Sequence, residues 1–180
     1  LLPDLARDWT VEKKGTRWTF RLRDDARWHD GTPVTSADVL FTIGVLQHPD
    51  FSGPLAATWR TVTATALDPS TVRFDLGDPV GGFLQAATLP LLPAHLLADV
   101  PVADLAASEF ARAPIGNGAF ALLDLRQDAA ILEPVLPQVD DGGPLGEPGL
   151  GAAAVRTPLL ERLELRFHDT PAELAEGLAG

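Results

Sequence analysis

The side chains best able to do chemistry are four histidines, His29, His48, His95 and His168, set among 25 acidic residues. A histidine beside a carboxylate can act as a general base or, in a cluster, ligate a metal. His29-Asp30 and His168-Asp169 are such neighbours, but adjacent residues rarely face one site, and no two histidines stand at metal-ligand spacing. The chain has no Gly-x-Ser-x-Gly elbow, no phosphate-binding glycine loop with lysine and no His-Glu-x-x-His. Ile115-Gly116-Asn117-Gly118 resembles part of a dinucleotide loop but lacks the third glycine and the helix that should follow. No spacing selects a carboxylate pair for acid–base work. The residues therefore nominate no catalytic group, cofactor or metal, and a small hydrolase built on a His/Asp neighbour is the weakest reading. Trp9, Trp18, Trp28 and Trp59 all lie in the first third of the chain. Core packing is the first expectation for each, with Trp28 and Trp59, beside turns, able to line a pocket.

These residues need a scaffold, and the sequence punctuates one. RWTFRLR alternates Trp18, Phe20 and Leu22 with polar residues, the period of a half-buried strand. After the Asp30-Gly31 turn, Thr35 and Asp38 form a capping-box pattern. Val39, Leu40, Ile43 and Leu46 then recur at helical spacing until Pro49. Gly44 inside this helix predicts close packing. TVTATAL and TVRFDL, joined by Asp68-Pro69-Ser70, read as a hairpin. Phe83-Leu84 suggests a helical turn, PAHLLA a short helix opened by Pro93, and ADLAASEFAR another amphipathic helix. AFALLDL and RLELRF read as strands, the latter placing Leu163, Leu165 and Phe167 on one face. Residues 133–158 are rich in Pro and Gly, as expected of a mobile surface loop. Thr170, Pro171 and Glu173 open a last helix.

The chain has 180 residues, enough to bury a core without disulfides, and contains no Cys. It also lacks Met and starts Leu1-Leu2-Pro3, so we expect a stretch of a longer translation product. A net charge of −11 argues against nucleic acid and against electrostatic binding to anionic membranes. No run of 18 apolar residues is present.

The order of motifs resembles the family 5 extracellular solute-binding proteins, the peptide- and nickel-binding subunits of ABC importers. Pro3, Leu5, Ala6 and Trp9 match its "P-x-L-A-x-x-W" start, and Phe20, Leu22 and Arg23 its "tFxLR" strand. Trp28 to Pro33 match "W/F-H-D-G-x-P", followed by Thr35, Ala37, Asp38 and Val39. LPLLPAHLL resembles "ilPkHlL", and APIGNGAFAL resembles "PvGTGPYxL" with Asn117 for Thr and Ala119-Phe120 for Pro-Tyr. The family's "N-P-x-Y-W" is replaced by the Pro/Gly tract.

The resemblance implies an α/β, mixed α+β fold: part of a periplasmic-binding-protein-like type II fold, with mixed sheets and short helices. Residues 1–112 would be the accessory subdomain of the N-terminal lobe and 113–180 a partial main subdomain. It implies capture of a peptide or similar small solute for an ABC permease, without catalysis or cofactor, and an extracellular or periplasmic location with any membrane tie through a lipid anchor outside the chain. Thr88, Leu89, Pro90 and Trp59 would border the cleft. His29, Asp30, Gly31, Pro33, Thr35, Asp38, Gly116 and Gly118 would be structural. The alternative is a stand-alone protein-interaction module built on this lobe.

Overall fold

The computed structural model describes residues 4–51, 53, 55–135 and 160–168. The chain divides into two compact units, Leu1–Ala111 and Arg112–Gly180.

The first unit is an antiparallel sheet with a helix packed on it. Strands β1 (Ala6–Glu12), β2 (Arg17–Leu22), β3 (Thr63–Asp68) and β4 (Thr71–Asp75) lie in the order β1-β2-β4-β3. The alternation in β2 turns Phe20 and Leu22 into the core and leaves Arg21 exposed. β3 and β4 form the hairpin expected at Asp68-Pro69-Ser70, where the Asp68 carboxylate accepts from the Ser70 N–H at 2.8 Å. β1 gives little sequence signal because it is an edge strand: Val11 is 47% exposed, and only Trp9 and Ala6 pack against the core. Its partner β2 is instead recognised through Arg21, whose Nε donates to Asp8 at 2.7 Å.

Helix α1 (Ser36–Gln47) starts at the expected capping box. Thr35 accepts from the Ala37 N–H at 3.3 Å, and Asp38 accepts from the Thr35 N–H at 2.8 Å. Val39, Ile43 and Leu46 are buried against the sheet. Gly44 departs from expectation. It faces solvent, and a Cβ there would meet nothing within 4 Å, so close packing does not explain it. Short helices α2 (Ala56–Trp59), α3 (Phe83–Ala86) and α4 (Ala94–Leu97) follow.

The expected helix over ADLAASEFAR is broken in two: a 3-10 turn Val102–Ala107 and α5 (Glu109–Arg112). Ser108 interrupts it in an extended conformation. Its hydroxyl donates to the Leu105 carbonyl at 2.6 Å and accepts from the Ala111 N–H at 3.4 Å, ending one turn and capping the next.

The second unit holds a three-stranded antiparallel sheet, β5 (Phe120–Leu125), β6 (Ala129–Pro134) and β7 (Leu163–Arg166), in that order. β6, which the sequence reading passed over, is central and carries the buried Ala129, Ala130 and Ile131. Its short apolar run lacks the alternation of a one-sided strand, because these three neighbours are buried in succession. The Pro/Gly tract accordingly begins later than expected: Glu133 and Pro134 pair with Ala121 and Phe120. The rest of that loop, from 136 to 158, and the helix expected at Thr170 lie outside the described residues. Leu165 and Phe167 stay 46% and 49% exposed, so this face of β7 is uncovered among the described residues.

Candidate functional site

Two tethers from α1 shape the one face of the first unit where the expected cleft residues meet. On the first, Asp38, 3% exposed, has one carboxylate oxygen in the cap, and its other accepts from the Ala94 N–H at 2.9 Å. One turn later, buried Thr42 donates to the Asp38 carbonyl at 2.7 Å and accepts from the Leu92 N–H at 2.9 Å. Together they pin the stretch between α3 and α4 to the helix. On the second, Gln47 Nε2 donates to the carbonyls of Trp59 and Val62, each at 2.7 Å, fixing the chain around α2.

Between these anchored segments lies a cavity of about 400 Å³. Trp59, Thr88, Leu89 and Pro90 all line it. The sheet contributes Phe20 and Phe74, and α1 contributes Ile43. Thr88 and Pro90 are exposed at its edge and Leu89 is half-buried. Trp59 is 1% exposed, with its ring 5.4 Å from Phe74 and 5.5 Å from Phe83, so it is both a core residue and a wall of the cavity. Its Nε1–H is buried without an acceptor. Trp28 is likewise 2% exposed and core.

The His-Asp-Gly segment forms a tight turn beside α4. Gly31 adopts φ 87°, a conformation strained for any residue with a Cβ, and its N–H donates to the Trp28 carbonyl at 2.8 Å. Trp28 in turn donates its N–H to the Thr32 carbonyl at 2.8 Å, and Pro33 bridges to Arg27. His29 is half-buried within the turn. The Asp30 carboxylate of the turn pairs with His95, 65 positions away: the His95 Nε2 lies 2.7 Å from Asp30 Oδ2. Burial alone would raise the Asp30 carboxyl, but hydrogen bonds from His95 and from Thr32 outweigh it and hold the group below its ordinary value. This pair ties the turn to α4, and so to the chain that carries residues 88–91.

Gly116 and Gly118 belong to the second unit, in the irregular segment before β5. Gly118 has no positive φ and a Cβ on it would meet nothing within 4 Å, so neither strain nor crowding demands glycine there. Among the described residues, no three His, Cys, Asp or Glu side chains converge as metal ligands.

Thr42 and Gln47 escaped the sequence reading, and Asp38 was seen only as a cap. The available signal was spacing. Asp38 and Thr42, four apart, put a polar pair beside the apolar Val39–Ile43 stripe, where a buried polar group must have a partner.

Residues 1–135 match the family described as bacterial extracellular solute-binding proteins, family 5. An ABC transporter peptide-binding protein of Brucella ovis is 32% identical over 123 residues, which are 67% of this chain and 23% of that protein. The oligopeptide-binding protein AppA of Bacillus subtilis is 32% identical over 117 residues, 63% of this chain and 22% of that one. The crystal structure of NikZ from Campylobacter jejuni with Ni(L-His) superposes with a TM-score of 0.77 at 27% identity, covering 98% of this chain and 33% of that one. The chain thus spans about a quarter of the length of the curated relatives it matches. Its architecture is part of the periplasmic-binding-protein type II fold, with mixed α/β content. With three quarters of its length matching that family, the chain belongs to the bacterial extracellular solute-binding proteins of family 5.

Proposed function

We propose that these residues form part of a subunit that captures peptides or similar small solutes outside the cytoplasmic membrane and delivers them to an ABC permease. Membership of family 5 carries the reading; the relatives named for peptide binding make peptide the first solute to test. The first unit is the accessory subdomain of the N-terminal lobe, and the second opens the main subdomain. Thr88, Leu89 and Pro90 present their edge to the solute, with Trp59 fixed behind them. Their meeting on one cavity supports this, as does the double tether from α1 that holds the segment in place. The work is binding, with no catalytic step. A lipid anchor outside these residues ties the protein to the cell surface.

Affinity in a two-lobed clamp comes from closure, which desolvates the solute between two surfaces. One surface alone binds weakly. Calorimetry on the 180-residue polypeptide is therefore expected to show no binding of di- to hexapeptides at micromolar or tighter affinity. The decisive experiment is a thermal-shift screen of the intact protein with short peptides, sugars and Ni(L-His). A specific solute at 100 times its Kd adds about 2.7 kcal/mol and raises the midpoint. A screen in which no peptide or other small solute moves it would reject the reading.

A further inference from the structure

The first sheet has two edges, β1 and β3, and they are not alike. An edge presents backbone groups that another strand can take up, and charges, prolines and bulges guard against this. β1 has such guards: Arg7, Asp8 and Glu12 along its length and a bulge between Ala6 and Asp8. β3 has none from Thr63 to Ala66, where the sequence is Thr-Ala-Thr-Ala and the bulge comes only afterwards.

The ladder fixes which groups face outward. The Leu76 N–H donates to the Thr16 carbonyl at 2.8 Å and the Leu22 N–H to the Ser70 carbonyl at 2.7 Å. Both are directly opposed pairs in the β2–β4 register, so Phe74 and Val72, every second residue between them, also bond to β2. Asp75 and Arg73 then bond to Thr63 and Thr65 on the other side. Ala64 and Ala66 are left with N–H and C=O pointing away from the sheet. Beside this edge, α1 and β3 wall an open groove with Leu40, Gly44, Val62 and Ala64. No carboxylate lines it, in a chain with 25 acidic residues. Glycine inside a helix is unfavourable relative to alanine, yet nothing crowds Gly44 within 4 Å. Arg60, exposed at the head of β3, makes no ion pair among the described residues.

We propose that the β3 edge is a pairing surface for a second copy of this chain. The two β3 strands run antiparallel about a two-fold axis at Thr65. Ala64 of each copy exchanges both backbone bonds with Ala66 of the other, and the two Thr65 side chains meet at the axis, a favourable cross-strand pair. The same axis brings the Arg60 end of each edge to the Asp68 end of the other, so the surface is self-complementary in charge. It also lays the second α1 beside the first, where Gly44, lacking a Cβ, allows close approach. The inference concerns association and stands apart from the solute-capture reading.

The chain contains no Cys, so one introduced thiol reports on the axis. Opposed residues of a non-bonded antiparallel pair stand about 4.5 Å apart at Cα, within disulfide range. Under mild oxidation, Thr65→Cys is expected to give a covalent dimer and Thr10→Cys, on exposed β1, to stay monomeric. In sedimentation velocity, the 180-residue polypeptide is expected to dimerise reversibly as its concentration rises. Ala66→Pro removes an outward N–H, Gly44→Gln fills the groove, and Arg60→Asp sets like charges against each other at both ends. Each is expected to weaken association at least tenfold with the far-ultraviolet circular dichroism unchanged. The inference is overturned by a polypeptide that stays monomeric, by equal crosslinking of the two thiol variants, or by undiminished association in any folded variant of the three, which would place the contact on another surface. Should Ala66→Pro unfold, the other variants and the crosslink decide. A failed solute screen leaves the crosslink result standing, and a monomeric chain leaves solute capture standing.

Discussion

In the first unit Trp59, Phe74 and Phe83 sit with ring centroids 5.4–5.9 Å apart beneath α1, and Phe83 is 1% exposed. In the second, Leu123 and Leu125 are 58% and 48% exposed, and the buried side chains among the described residues are the small Ala129 and Ala130 with Ile131. Both units are built on antiparallel sheets. The difference lies in what covers them. A capped helix, buried on most of its surface, with a polar tether at each end turns the first sheet into a core that can hold a shaped cavity. Among the described residues, strand pairing gives the second sheet its register and leaves large apolar side chains near solvent.

The sharpest way to break this contrast is a matched pair of truncations. Phe83→Ala removes a ring packed on Trp18, Trp59 and Phe74 and is expected to cost about 3–5 kcal/mol in urea unfolding followed by tryptophan fluorescence. Leu123→Ala should stay within about 0.5 kcal/mol of wild type. Equal losses would erase the distinction. Next in size is Asp38→Ala, which strips the acceptor from both the Thr35 and Ala94 N–H groups. The expected loss is roughly 2–3 kcal/mol, with faster hydrogen exchange at Leu92 and Ala94 as the sign that the segment has come away from α1.

Gly44→Ala should move stability the other way. The position is helical and exposed, and an added Cβ meets nothing within 4 Å. A gain of about 0.5–1 kcal/mol in the same urea assay is expected.

The smallest effect concerns acid. The hydrogen bond from Arg17, at 2.7 Å, holds the Asp75 carboxyl below its ordinary value of 3.8, against a smaller opposing effect of burial. A folded-state value below the unfolded one means that the stabilisation is complete above about pH 4 and is lost as pH falls through the lower folded value. Asp75→Asn should therefore flatten the acid limb of a stability–pH profile between about pH 5 and pH 2. The change should be under about 1 kcal/mol, since the pair is partly solvated. An unchanged acid limb would show that the pair contributes nothing there.

Much of the first unit was legible because its signals are short-range. The capping box spans Thr35 to Asp38, the hairpin turn Asp68 to Ser70, and the β2 alternation Trp18 to Leu22. Each is decided by groups within a few residues of one another. The edge strand β1 and the central strand β6 were missed for opposite reasons. One exposes most of its length, and the other buries neighbours on both faces, so neither shows a period of two. The break at Ser108 was hidden because apolar spacing continues across it while the hydroxyl competes for the backbone.

The sequence by itself determined the local frame and the family. Turn chemistry, capping and apolar period carry that information within a few residues, and their order along the chain is the family's pattern. Only the tertiary structure decided that Asp30 pairs with His95. It alone revealed that Asp38 reaches Ala94, that Gln47 holds Trp59, and that Trp59 and Leu89 share one chamber. Those partners are 12 to 65 positions apart. Nothing in a side chain's type names a distant partner until the folded backbone brings it within hydrogen-bonding distance.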